Sequence, residues 1–234
     1  MRAHLQAVAI NTLKRLWLRT VSRPVAWAYH RDVVYRTDNF GSTDWLGTPI
    51  WQNVLDLWTI QESIAEIKPA LLIETGTFRG GSARFYAQLM DLLDHGRVVT
   101  VDVVNHHEGV EHPRIEFLDG SSTDTAIVQH VREAAEQADG PVMVILDGNH
   151  DCDHVRQELE LYAPLVSPGS LLLSQDGIID QMWIFSAGRP GPLSANRAFL
   201  EEHDEFEYDR ERNERYGLTH HPVGWMRRLP GRPA

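Results

Sequence analysis

The chain has 234 residues, 42% of them hydrophobic, and a net charge of -11 at neutral pH. That length gives one substantial domain with a proper core, and the acidic balance excludes a general affinity for nucleic acid, which needs a basic surface to displace counterions from phosphates. The single cysteine, Cys152, makes no intramolecular disulfide, so a reducing, cytoplasmic setting is expected and a Cys-based structural zinc site is excluded.

The N-terminus departs from this average. Arg2, Lys14, Arg15, Arg19, Arg23 and Arg31 all precede the first acid, Asp32. Leu5, Val8, Ala9, Leu13, Leu16 and Trp17 recur at helical spacing, which predicts a basic amphipathic helix. No apolar run there approaches the ~20 residues of a membrane span, and a secretory h-region is missing. The ordinary reading is a helix packed on its own domain or on a partner subunit. The other is contact of residues 1–31 with an anionic membrane surface. We read residues 1–44 as a helical extension and 45–234 as the main domain.

"WQNVLDLWTIQESIAEIKP" then carries Val54, Leu55, Leu57, Trp58, Ile60, Ile64 and Ile67 at helical spacing before Pro69 stops it. Next, strands "ALLIETG", "RVVTVDVV", "RIEFLDG", "VMVILDG" and "GSLLLSQD" interleave with helices "GGSARFYAQLMDLLD", "STDTAIVQHVREAAEQ" and "DHVRQELELYAPLV". Continuous Val/Ile/Leu strands alternating with helices predict an α/β, Rossmann-like, doubly wound and mostly parallel sheet covered on both faces. Beyond Asp176, "GIIDQMWIFSAGRPGPLSANRAFL" reads as a Gly- and Pro-rich loop or lid. "FEYD" and "VGWMRRL" predict a closing antiparallel hairpin.

"IETGTFRGGS" is a strand, glycine turn and helix start. A pyrophosphate would want Gly where Glu74 and Thr75 stand, and the carboxylate would repel it. S-adenosylmethionine suits the turn better, because an acidic strand end attracts its ammonium while Gly76, Gly80 and Gly81, ahead of Ser82, let backbone come close. Asp102 ends the second strand, where a carboxylate accepts both ribose hydroxyls of an adenosine ligand. In "LDGSS", Ser121 and Ser122 are expected to cap the next helix, which is compatible with a contact from this loop to adenine.

Asp147 and Asp176, with Gln175 beside the latter, sit at the carboxyl ends of predicted strands. Their oxygens suit Mg2+ with waters completing the shell; two helix-capping carboxylates are the alternative. His150 follows Asp147 by three, close enough for one to hold a metal while the other takes a proton. His154 raises a His-x-x-x-His zinc site, but "HDCDH" lacks the general-base Glu of that pattern. It also lacks the His-x-Asp of an iron oxygenase, since Cys152 occupies the needed position. His106, His107, His220 and His221 read as surface loop residues unless a substrate reaches them.

From about Trp45 to Arg228 the chain resembles the cephalosporin-hydroxylase-like O-methyltransferases, a group that includes rhamnosyl and macrolide-sugar O-methyltransferases. The blocks that carry the resemblance are the helix at 45–69, "IETGTFRGGSA", "HPRIEFLDGSSTD", "VMVILDGNHDCDHVRQELELYAPLVSPGS", "GPLSANRAFL" and "DRERNERYGLTHHPVGWMRR". The resemblance implies a class I methyltransferase fold, S-adenosylmethionine as donor, usually Mg2+, a small-molecule hydroxyl as acceptor, and homo-oligomers. It places the metal on Asp147, Gln175 and Asp176, the cofactor partly on Asp147, and the base on His150. Two departures matter: Gln175 stands where the family usually has Glu, which weakens or removes the metal, and "IIDQM" replaces the family's Asn-Ile-Asn-Gly-His. A metal-independent methyltransferase and a noncatalytic partner of an oxygenase are the competing expectations.

Overall fold

The structure is a computed structural model that describes residues 2–35, 42–104, 106–107, 109–182 and 190–231. The N-terminal extension is α1 (Arg2–Trp17), a π-helical stretch (Leu18–Ser22) and α2 (Arg23–Tyr35). The side chains of Leu5, Val8 and Ala9, expected on one helix face, lie outside the described residues. A small ladder unforeseen from sequence follows, β1 (Asp44–Trp45) against β2 (Thr48–Pro49), closed by Leu46 and Gly47 at positive φ.

The main domain then runs α3 (Val54–Ile67), β3 (Leu71–Thr75), α4 (Gly81–Leu93), β4 (Arg97–Asp102), β5 (Ile115–Asp119), α5 (Thr125–Glu136), β6 (Val142–Leu146), α6 (Cys152–Tyr162) and β7 (Leu171–Ser174). It closes with α7 (Pro192–Glu202), β8 (Phe206–Tyr208), α8 (Arg210–Asn213) and β9 (Trp225–Arg228). These boundaries follow the predicted pattern closely. Asn53 caps α3 by accepting from the N–H groups of Leu55 and Asp56, and Asp151 caps α6 by accepting from Asp153 N–H, as short polar side chains do at helix starts.

Seven strands form one sheet in the order β5-β4-β3-β6-β7-β9-β8. The first five are parallel, and β9 runs antiparallel to both β7 and β8. The predicted closing pair is therefore present, but β8 and β9 are joined through α8 rather than a tight turn. Strand alternation divides the core: Leu71, Ile73, Val99, Val101, Val144 and Leu146 face Val128, Leu159 and Tyr162, while Leu72, Val98, Met143 and Ile145 face Ile60, Ile64, Tyr86 and Met90. Both faces are buried, which explains the uninterrupted apolar strands.

One expectation is corrected. Residues 192–200 of the predicted loop at 177–200 are helix, because Pro192 occupies the first turn, where its missing N–H costs nothing, and Leu193, Ala195 and Phe199 recur on a buried face. Residues 177–181 form a 3-10 turn, and 183–189 of the expected lid lie outside the described residues.

Order 5-4-3-6-7 reverses direction between β3 and β6, and the crevice above their carboxyl ends is where open α/β sheets bind ligands. The two chains meet there without room for a side chain. Gly76 has φ +92°, and a Cβ on it would stand 2.1 Å from the Asp147 carbonyl oxygen. Gly76→Ala should therefore cost about 2–5 kcal/mol, combining the positive-φ penalty with overpacking. Gly169→Ala, at φ +83° with nothing within 4 Å, should cost only about 1 kcal/mol. Calorimetric unfolding of both variants checks the difference, which corresponds to a gap of several degrees in Tm.

Candidate active site

A cavity of about 600 Å³ occupies this crevice. Of the residues expected to bind a cofactor or metal, Thr75, Gly76, Asp102, Ser121, Ser122, Asp147, His150 and Asp176 line it. Glu74, Gly80, Gly81, Ser82 and Gln175 do not. Trp51, Phe78, Asn149 and His154 complete much of the wall.

Glu74 is set apart by strand periodicity. It shares its face of β3 with Leu72, beneath α4, and is fully buried. Thr100, its register partner on β4, donates Oγ1–H to it at 2.6 Å. Burial raises its pKa to about 7, partly opposed by hydrogen bonds from Ser82 and Thr100. An anion attracting a ligand ammonium across the cavity is not what this position provides; the expectation is corrected to a carboxyl group held under the turn. Gly81 is needed for another reason, since a Cβ there would meet the Pro49 carbonyl oxygen at 2.1 Å.

At one end, Asp102, Ser121 and Ser122, expected near an adenosine, do line the cavity. Asp102 accepts from Phe78 N–H at 2.7 Å and Val104 N–H at 3.3 Å, so its carboxylate is oriented by backbone at the cavity edge. Ser121 and Ser122 do not cap α5; Asp124 is the capping position, and it accepts from Ser121 N–H at 3.3 Å. Ser121 Oγ instead pairs with Thr123 Oγ1 at 3.0 Å. The loop is tied down from below: Tyr162 donates its hydroxyl to the Ser122 carbonyl at 2.7 Å, and Ser122 Oγ lies 3.2 Å from His154 Nε2. His154 thus belongs to this wall. Its pKa is raised chiefly by Glu158, a carboxylate with no exposure 3.7 Å from Nε2.

At the other end, β6 and β7 are adjacent, and Gln175 N–H donates to the Leu146 carbonyl at 2.8 Å. Asp147 and Asp176 consequently emerge side by side. His150 Nε2 stands between them, 3.1 Å from Asp176 Oδ2 and 3.8 Å from Asp147 Oδ1. One potential ligand atom from each of the three lies within 4.8 Å of the others. Burial and the neighbouring Asp176 charge push the Asp147 pKa well up. Burial also opposes charge on Asp176, but the His150 hydrogen bond and the nearby imidazoles outweigh it and lower its pKa. Burial lowers the His150 pKa; Asp176 and Asp147 overcome this and bring it to about 9. The neighbouring acids of the sequence have local tasks: Asp151 caps α6, and Asn149 Oδ1 accepts from Asp151 N–H at 2.9 Å.

Gln175 is only 2% exposed, and its Nε2 is buried without a hydrogen-bond partner. Asp176 escapes the same fate because its backbone turns into the left-handed region, φ 55°. Its N–H donates to His221 Nδ1 at 2.9 Å. His220 and His221 are 3% and 1% exposed, so the expectation of surface histidines is wrong. They are drawn in by Asp56 of α3, which accepts from Thr219 Oγ1 at 2.5 Å and from His220 N–H at 2.9 Å. Asp56 interrupts an apolar helical face, and that was the available sequence signal. Gln52, which donates to Asp147 Oδ2 at 3.2 Å, carried no such signal.

Over residues 38–229 the chain matches the family described as Rhamnosyl O-methyltransferase/CmcI. Proteins named Rhamnosyl O-methyltransferase from Mycobacterium bovis and Mycobacterium tuberculosis are 33% identical to it over 212 residues, covering 88% of this chain and 85% of theirs. The Mycobacterium leprae protein of that name is 30% identical, covering 86% and 90%. Among solved structures, CmcI with Mg and SAM superposes with a TM-score of 0.63 at 16% identity, over 82% of this chain and 78% of that one. An apo form gives 0.62 at 18%, with the same coverages. At those identities the structures speak for a shared fold. With the family match spanning most of the length, the chain belongs to the rhamnosyl O-methyltransferase/CmcI family.

Proposed function

We propose that the protein is an S-adenosylmethionine-dependent O-methyltransferase whose acceptor is a sugar hydroxyl on a glycosylated natural product or glycolipid. The observation that carries this reading is the Asp147–His150–Asp176 group at one end of a cavity whose other end offers Asp102 and the Ser121–Ser122 loop. Asp102 takes the ribose hydroxyls, the loop takes adenine, and Thr75 and Gly76 face the amino acid part. The relatives named for rhamnosyl methylation supply the sugar. A cytoplasmic location, with Cys152 reduced, and a homo-oligomeric assembly complete the proposal.

The residues fit a divalent ion. Two half-buried carboxylates that repel one another at the wall of a cavity are a hard-oxygen donor set suited to Mg2+. Asp147 and Asp176 would hold it, with Gln175 turned away. Such an ion stabilises negative charge developing on a hydroxyl oxygen. Neutral His150 would accept the hydroxyl proton at Nε2 once that nitrogen is released from Asp176, as it would be when the Asp176 carboxylate holds the ion. The backbone turn at Gly76 and the Asp102 carboxylate hold the donor so that methyl and oxygen meet in line. One observation favours a metal-independent variant: His150 Nε2 already bonds Asp176 at 3.1 Å, as a base bonds its orienting carboxylate, which leaves Nδ1 as the nitrogen that would take the proton.

Three results check the proposal. Asp102→Ala should weaken S-adenosylhomocysteine binding, measured by calorimetry, by about tenfold or more, the loss of hydrogen bonds to a charged acceptor. His150→Ala should cut turnover with alkyl and phenyl rhamnosides by about 10²–10⁴-fold while leaving that affinity within about twofold. Chelator should abolish methyl transfer and Mg2+ restore it; activity indifferent to chelator selects the metal-independent variant, and no cofactor binding at all returns the noncatalytic oxygenase partner to first place.

A further inference from the structure

The N-terminal extension presents an apolar stripe that nothing among the described residues covers. Ile10, Leu13, Leu16 and Trp17 are 58%, 65%, 57% and 61% exposed. At 100° per residue these four fall within about 120° of the α1 circumference. Lys14 borders the stripe and Arg15 lies beyond it. In α2, Val25 and Tyr29 are exposed as well, while Trp27 packs against Ile178 and Met182 and ties the extension to the domain. The charge is segregated in the same place. Residues 1–31 hold six Lys or Arg and no acid in a chain whose net charge is -11.

We propose that α1 lies flat on an anionic lipid bilayer, its Ile10–Leu13–Leu16–Trp17 stripe at the acyl boundary and its cations among the headgroup phosphates. An exposed apolar stripe that includes a Trp, on a helix whose charged residues are all cationic, is what a bilayer surface selects. No helix among the described residues is long and apolar enough to cross a membrane, so α1 lies on the surface. A second copy of the chain fits less well. Pairing α1 with α1 would bring together two stretches of six cations. The other exposed apolar face, Trp51, Val54 and Trp58, begins at the wall of the cavity, and α1 of another copy seated there would narrow the acceptor's way in. The inference stands apart from methyl transfer, because none of Ile10, Leu13, Lys14, Arg15, Leu16 and Trp17 lines the cavity.

The test is co-sedimentation of the full chain with phosphatidylcholine vesicles, with and without one third phosphatidylglycerol. The chain should bind the anionic vesicles at least about tenfold more strongly than the neutral ones, and 0.5 M NaCl should reverse most of the difference. Leu13→Glu combined with Trp17→Glu should remove binding. Lys14→Glu combined with Arg15→Glu, which alters only exposed polar positions and keeps the helix, should lower it about tenfold or more. An unchanged thermal midpoint verifies that the domain is intact in each. Failure of the wild type to sediment with anionic vesicles at low salt overturns the proposal. So does equal binding to both vesicle types, or a multimer that Leu13→Glu with Trp17→Glu dissolves while no lipid is bound, which assigns the stripe to a second copy. Calorimetric binding of S-adenosylhomocysteine reads the methyltransferase proposal independently of all these outcomes.

Discussion

Two carboxylates set side by side in a half-buried place need a positive charge between them, and the upper end of this molecule is organised around that requirement. Adjacent parallel strands deliver Asp147 and Asp176 to one spot, where withdrawal from water makes their mutual repulsion far stronger than at a surface. His150 meets the need in the structure as it stands, with its pKa raised to about 9. A divalent cation meets the same need with more charge. Such a cation, rather than the carboxylates that would hold it, is what would stabilise an oxygen anion beside the pair.

Keeping the pair together falls to parts of the chain distant in sequence. Asp176 points into the cavity because its backbone adopts a left-handed turn, and that turn is held by His221. The His220–His221 segment is in turn anchored to Asp56 at the start of α3. Gln52, one turn earlier in the chain, supports Asp147 from the same side. The segment around Gln52 and Asp56, the two strand ends and the turn before β9 thus form one polar network over the sheet. Its buried hydrogen bonds are expensive to leave unmade, which keeps the two carboxylates in register.

The opposite end of the cavity follows a different principle. There the backbone does the positioning, with Asp102 oriented by two N–H groups and the Ser122 loop pinned by Tyr162. Glu158, buried without exposure, sits beneath His154 and keeps a polar wall behind the loop. Glu74 has the residue type expected of a cofactor contact but the wrong parity along its strand. A period of two places it under α4, while Thr75 next to it faces the cavity.

Much of this was legible in the chain itself. Uninterrupted apolar strands alternating with amphipathic helices determine a parallel, doubly wound sheet, because only that architecture buries both faces of such strands. A carboxylate at or just beyond the end of three such strands, Asp102, Asp147 and Asp176, marks the edge where open α/β sheets place their ligands. His150 could be read by its spacing from Asp147. The tertiary structure alone decided that Glu74 and Gln175 are withdrawn from the cavity, that His220 and His221 are core residues, and that Gln52 and His154 belong to the site. Those outcomes depend on side-chain direction and on contacts up to 167 residues apart, as between Asn53 and His220. A one-dimensional pattern encodes which residues are polar and how often they recur. Which polar groups find one another is settled only when the sheet brings its strand ends and loops to a common edge.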